Sequence, residues 1–210
     1  MAHMERVLDI YKRPYDPKTP VICMDESPKQ LIRETRISIR ARPGSLEKYD
    51  YEYERCGVCS IFMANEPLAG IRYVKVTERR TKLDWAAFIK DIYDTYQEAD
   101  KITLVMDNLN THKPGSLYEA FPPELAKSFW DRFEFVYTPK HGSWLNMAEI
   151  ELNVLNGQCL NRRIDKLSEV IAECEAWQNH RNNKNATINW QFTPENARIK
   201  LKRLYPTLQG

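Results

Sequence analysis

The sequence has little glycine, 7 residues in 210, against 12 Pro and 11 Tyr. That excludes a collagen-like or low-complexity chain. No apolar run comes near the roughly 18 residues needed to cross a bilayer, so no membrane partner is expected. An excess of one charge is missing too. Basic residues number 31 and acidic residues 29, for a net charge of +2. Such a balance exerts no global pull on nucleic acid, so a polyanion would have to be held by a local patch. Two basic clusters occur: Arg33, Arg36, Arg40 and Arg42 early, and Arg198, Lys200, Lys202 and Arg203 late. On charge alone, a solvated surface is the plainer reading of both.

A disulfide framework is also excluded. The cysteines are Cys23, Cys56, Cys59, Cys159 and Cys174, an odd number with no signal peptide before them. Reduced thiols in a cytosolic protein follow. Cys56-Gly-Val-Cys59 has zinc-knuckle spacing, but no second pair completes a tetrahedral site, so structural cysteines are expected. Met1-Ala2-His3-Met4 reads as an expression-vector remnant without fold information, leaving residues 5 to 210 as the folded unit.

What is present is a core. Hydrophobic residues make up 42% and aromatics 11%, enough for one domain of ordinary size. Val21-Ile22-Cys23-Met24 is a short apolar run of strand length, ending at Asp25-Glu26. Residues 31 to 55 read as exposed or mobile, with a turn signal at Pro43-Gly44. Gly57 to Ala64 and Leu68 to Thr77 read as an antiparallel hairpin. Thr81 to Glu98 is the clearest helix. Its Trp85, Phe88, Ile89, Ile92, Tyr93 and Tyr96 form one stripe, and Thr81 with Asp84 makes a capping box. Lys101 to Met106 and Phe133 to Tyr137 are further strands, separated by a helical stretch broken at Pro122-Pro123. From Ser143 the chain turns helical to about Arg163, then again from about Ser168 to His180. A last helix starts at Thr193-Pro194. Hairpin, then strand–helix–strand, then helices: the order predicts an α/β fold, a mixed sheet with helices packed on it.

Two acids end apolar strand runs, Asp25 and Asp107. A carboxylate at a strand end is held rigidly and still reaches solvent, and ligand sites gather there in such sheets. If the two strands are neighbours, their like charges need a cation between them. If not, these are two unrelated turn acids. A third acid belongs to the following helix. Glu149 and Glu151 point about 200° apart on it. Glu149 shares a polar stripe with Asn146, Asn153 and Asn156, and Glu151 shares a face with Trp144, Met147, Ala148, Val154 and Leu155. Periodicity therefore favours Glu149, although a solvated Asn/Glu stripe would look the same.

Three segments carry a family resemblance: Met24-Asp25-Glu26-Ser27, then Val105-Met106-Asp107-Asn108-Leu109-Asn110-Thr111-His112, then Tyr137-Thr138-Pro139-Lys140-His141-Gly142-Ser143-Trp144-Leu145-Asn146-Met147-Ala148-Glu149. Together and in this order they resemble the catalytic core of DDE transposases of the mariner type, in the bacterial insertion-sequence branch. The resemblance implies a ribonuclease H-like fold. It implies that Asp25, Asp107 and Glu149 hold two Mg²⁺ ions, with Mn²⁺ as a substitute, Asp25 bridging both. Such ions, about 3.5–4 Å apart, serve DNA cleavage and strand transfer. Asn108 and Asn146 would orient water or substrate. His112 and His141 would contact phosphate or the attacking water, or else be hydrogen-bonded turn histidines. Lys140 would contact phosphate or be merely solvated, and Trp144 would stack on a flipped base or sit in the core. The implied partners are double-stranded DNA, as transposon ends and target, and a second copy in a homodimer. The implied setting is the bacterial cytoplasm, at the nucleoid. The helix-turn-helix DNA-binding region that normally precedes such a core is not read in these residues. Two rivals stay open: another ribonuclease H-like nuclease, and an inactive transposase-derived DNA-binding domain. The Pro-Lys-His-Gly-Ser-Trp-Leu-Asn block argues against the first and the intact acid trio against the second.

Overall fold

The computed structural model describes residues 1–36, 39–46, 48, 50–109 and 112–205. Five strands, β1 (Val21–Glu34), β2 (Tyr53–Glu66), β3 (Ile71–Thr77), β4 (Ile102–Met106) and β5 (Phe133–Tyr137), form one sheet in the order β3-β2-β1-β4-β5. The β1–β2 and β2–β3 pairs are antiparallel; β1–β4 and β4–β5 are parallel. The sheet is therefore mixed, as expected. Its parallel half is reached by crossover connections, which carry helices. The helices are α1 (Ala2–Tyr11), α2 (Lys82–Thr95), α3 (Pro114–Ala120), α4 (Pro123–Arg132), α5 (Met147–Leu155), α6 (Leu167–Asn183) and α7 (Pro194–Lys200).

Alternation along the strands divides the core in two. Ile22, Met24, Phe62, Leu104 and Met106 face α2, α3 and α4, where Trp85, Phe88, Ile89 and Phe129 are buried. Cys23, Ile61, Met63 and Val105 face the other way, against α1, α5, α6 and α7. The capping box of α2 forms as expected: Asp84 N donates to Thr81 Oγ1, and Thr81 N donates to Asp84 Oδ2.

Two expectations need correction. The first residues do carry fold information, because α1 begins at Ala2 and its Met4 is buried in the core. Secondly, β1 does not stop at Asp25. Its ladder with β2 runs from Cys23↔Asn65 to Glu34↔Tyr53, with a register shift at Leu31/Ile32. Residues 31–34 and 53–55 are therefore strand. The Pro43-Gly44 signal lies between the bridged pair Arg42↔Ser45, and Gly44 takes φ +81°. That conformation suits glycine at the third position of a turn with proline before it.

The early basic cluster is partly neutralised: Arg33 pairs with Asp165 and Glu54, and Arg36 with Asp50. In the late cluster Arg198 pairs with Glu5. All five cysteines are free thiols. Among the described residues no helix is long and apolar enough to cross a membrane.

Candidate active site

The β1–β4 ladder pairs Val21 with Thr103, Ile22 with Leu104 and Cys23 with Val105. Asp25 and Asp107 each stand two residues beyond the last of these pairs, Asp107 directly after β4, and the charge of Asp107 acts on Asp25. Neighbouring strands lie about 4.8 Å apart. Asp25 shares the α5 face of the sheet with Cys23. Asn146 brings α5 to it: its Oδ1 caps the helix by accepting from Ala148 N at 3.2 Å, and its Nδ2 donates to Met24 O at 2.7 Å. The helix start is thereby tied to the residue before Asp25. Glu149, in the first turn, then lines one depression of about 370 Å³ with Asp25, Ser27 and Asn153.

The electrostatics record this gathering. Burial pushes the Asp25 carboxyl up to about 7, and the charges of Asp107, Glu26 and Glu149 add to the rise. The backbone N–H of Glu26, donating to Asp25 Oδ1 at 2.8 Å, works the other way. Among the described residues no three His, Cys, Asp or Glu groups stand close enough to hold an ion as they are. The donor set nevertheless fits in kind. Carboxylate oxygens suit a hard divalent cation, and a cation would relieve the repulsion that Asp25 feels.

Glu151 has a different fate. It is fully buried, and two guanidinium groups grip it. Arg72 donates from Nε and Nη2 at 2.9 and 2.8 Å, and Arg181 from Nε and Nη2 at 3.0 and 2.9 Å. Burial alone would raise its carboxyl, but the bonds from both arginines outweigh that and hold it below the usual range. Glu151 thus pins α5 to β3 and α6.

Two residues expected to meet substrate are engaged within the protein, which for His112 is the hydrogen-bonded alternative. His112 has 1% side-chain exposure, with Nδ1 2.8 Å from Asp107 Oδ1 and Nε2 3.0 Å from Glu26 Oε2. Burial would lower its pKa, but the bonds to Asp107 and Glu26 raise it to about 9. Asn146 is buried with both ends of its amide engaged. Neither side chain presents a polar atom to a substrate.

Asn108, Lys140 and His141 do face outward. With Asp107, Thr138 and Ser143 they line a second depression of about 400 Å³. Its wall is a tight turn in which Gly142 N donates to Pro139 O at 2.8 Å and His141 takes φ +62°. A Cβ on Gly142 would sit 2.5 Å from Pro139 Cγ, so the turn requires glycine there. Trp144 is not a core residue: it is 45% exposed, beside Trp190 and Phe192. Sequence reasoning missed Glu26, Arg72 and Arg181. One signal existed: a glutamate on an apolar helix face, as Glu151 is, demands a buried cation.

Comparison with known proteins gives a family and a fold. A family model described as DDE superfamily endonuclease matches residues 20–171, which hold the whole sheet and α5. No curated protein matches in sequence. The Mos1 mariner paired end complex with Mn is similar in structure, with TM-score 0.59 and 14% identity, over 88% of this chain and 57% of that one. The pre-cleavage Mos1 transpososome gives 0.58 and 13%, over 88% and 60%. The Mos1 paired end complex with Mg gives 0.53 and 14%, over 89% and 62%. The chain thus spans about three fifths of the length of those chains. At such identities the likeness concerns the fold, which is ribonuclease H-like. Because the matched segment takes in most of the chain, the protein belongs to the DDE superfamily endonuclease family.

Proposed function

We propose that this chain is the catalytic domain of a transposase of the bacterial insertion-sequence branch, cutting double-stranded DNA at the element's ends and joining it to a target. The observation that supports the proposal concerns Asp25: it lines a depression with Glu149, and the charges of Asp107 and Glu149 raise its pKa. Asp25, Asp107 and Glu149 would hold two Mg²⁺ ions, or Mn²⁺ in their place. Bound there, such ions neutralise charge on the attacking and leaving oxygens of phosphoryl transfer.

The chain's own residues do the positioning. Asn146 holds the start of α5, and so Glu149, against β1. The Glu26 N–H fixes one oxygen of Asp25. Asn108, Lys140 and His141, around Asp107, would meet the phosphate backbone, which sets register without reading sequence. The exposed face of Trp144 would take an unstacked base. That similar structures are Mos1 paired end and strand transfer complexes supports a DNA-bound role; a homodimer is part of the proposal. The setting would be the cytoplasm, at the nucleoid.

Asp107→Asn tests the proposal. Mg²⁺-dependent strand cleavage should be abolished, with circular dichroism and DNA affinity nearly unchanged. Cleavage at the wild-type rate in that variant would contradict it.

A further inference from the structure

Burying charges is costly unless geometry and partners compensate. One buried set beside the candidate site has such geometry. Glu26 follows Asp25 in β1, so alternation turns it to the opposite face, toward α2. There it meets His112, and each side chain is only 1% exposed. One ring nitrogen faces Glu26 Oε2 at 3.0 Å and the other faces Asp107 Oδ1 at 2.8 Å. The ring stacks on Trp85, with centroids 5.5 Å apart and planes 26° apart. Tyr137 Oη donates to the His112 carbonyl at 3.0 Å, fixing the backbone behind it. A flip of this ring would aim carbon atoms at both carboxylates, so its orientation is set. Asp107 is different, since its side chain is 31% exposed. With one oxygen fixed by His112, it still has another to offer.

We infer that His112, held by Glu26 and Trp85, is a positioning residue that fixes the Asp107 carboxylate for a divalent cation. The inference rests on the proposed reading of Asp107 as a metal ligand. It assigns His112 a role toward the carboxylate and not toward DNA. Groups that hydrogen-bond a ligating side chain set its orientation, and losing one costs about 10- to 100-fold in metal affinity.

Mn²⁺ affinity, measured by calorimetry or by the Mn²⁺ resonance signal without DNA, tests this. Three variants separate the contacts. His112→Phe keeps the ring on Trp85 and loses both polar contacts. His112→Gln keeps an N–H able to reach Glu26. His112→Asn keeps an N–H at the position facing Asp107. The Phe and Gln variants should bind Mn²⁺ about 10- to 100-fold more weakly, and Asn should regain most of the loss. Melting temperatures of the same samples report folding, and they need not follow that order. If wild type binds Mn²⁺ and the folded Phe and Gln variants bind it equally well, the role of His112 is overturned. An Asn variant as weak as Phe overturns it too. Failure of the wild type to bind Mn²⁺ would instead remove the metal reading of Asp107 and this inference with it.

Discussion

A carboxyl group raised to about 7 by burial and neighbouring acids makes its own pH dependence. Asp25 ionises in the folded state well above the ordinary aspartate range, so ionisation opposes folding. Its contribution is most favourable at low pH, below about 4, and is lost as pH rises through about 7. In metal-free protein Asp25→Asn should therefore raise the melting temperature at pH 8 and change it little at pH 4. Melting curves in the presence of a chelator check this; an equal effect at both pH values would contradict it. At this scale the sequence was informative where one residue had one job. Asp25 and Asp107 stand out because each follows an apolar run, and the two glutamates separate because one lies on a polar stripe and one on an apolar face. His112 and Asn146 were not legible as buried groups. Each has one partner near in sequence, Asp107 or Ala148, and one that only the fold supplies, Glu26 or Met24.

Among elements, α5 matters most, and Glu151 anchors it. Removing the carboxylate leaves Arg72 buried without its ion partner, and breaking a buried pair in this way costs about 3–5 kcal/mol. Glu151→Ala should lower unfolding free energy by about that much in urea denaturation; a loss below about 1 kcal/mol would mean that the clamp contributes little. The elements themselves were read unevenly. Helix α2 has a full apolar stripe and a cap, so local pattern suffices. Strand β1 beyond Asp25 does not, because Glu26, Ser27, Pro28, Lys29 and Gln30 continue no apolar run. Pairing with β2 alone makes them strand. Having a partner on one side only is also the condition under which Pro28 is tolerated within a strand. Helix α1 had a usable signal in Met4, Val7, Leu8 and Tyr11, spaced three and four apart, but its first residues resemble a remnant.

For the whole molecule, the chain is near neutral and Arg33, Arg36 and Arg198 of its basic clusters are paired, so DNA would be held by a local patch. Lys140 stands in the depression that holds Asp107. Lys140→Ala should weaken DNA binding about equally across sequences and reduce the slope of log affinity against log salt by about 1. Fluorescence anisotropy over a salt series measures both; an unchanged slope would remove Lys140 from the interface. The mixed sheet with helices packed on it was legible from element order. That three distant segments meet at one end is implied by the family motifs; the Asn146 tether, which holds α5 to the residue before Asp25, and the charges of Asp107 and Glu149 acting on Asp25 support it. A crystal soaked in Mn²⁺ tests that joining most directly. The expected result is anomalous density bound by carboxylate oxygens of Asp25, Asp107 and Glu149 together; saturating Mn²⁺ that leaves those three side chains apart and unligated would contradict it.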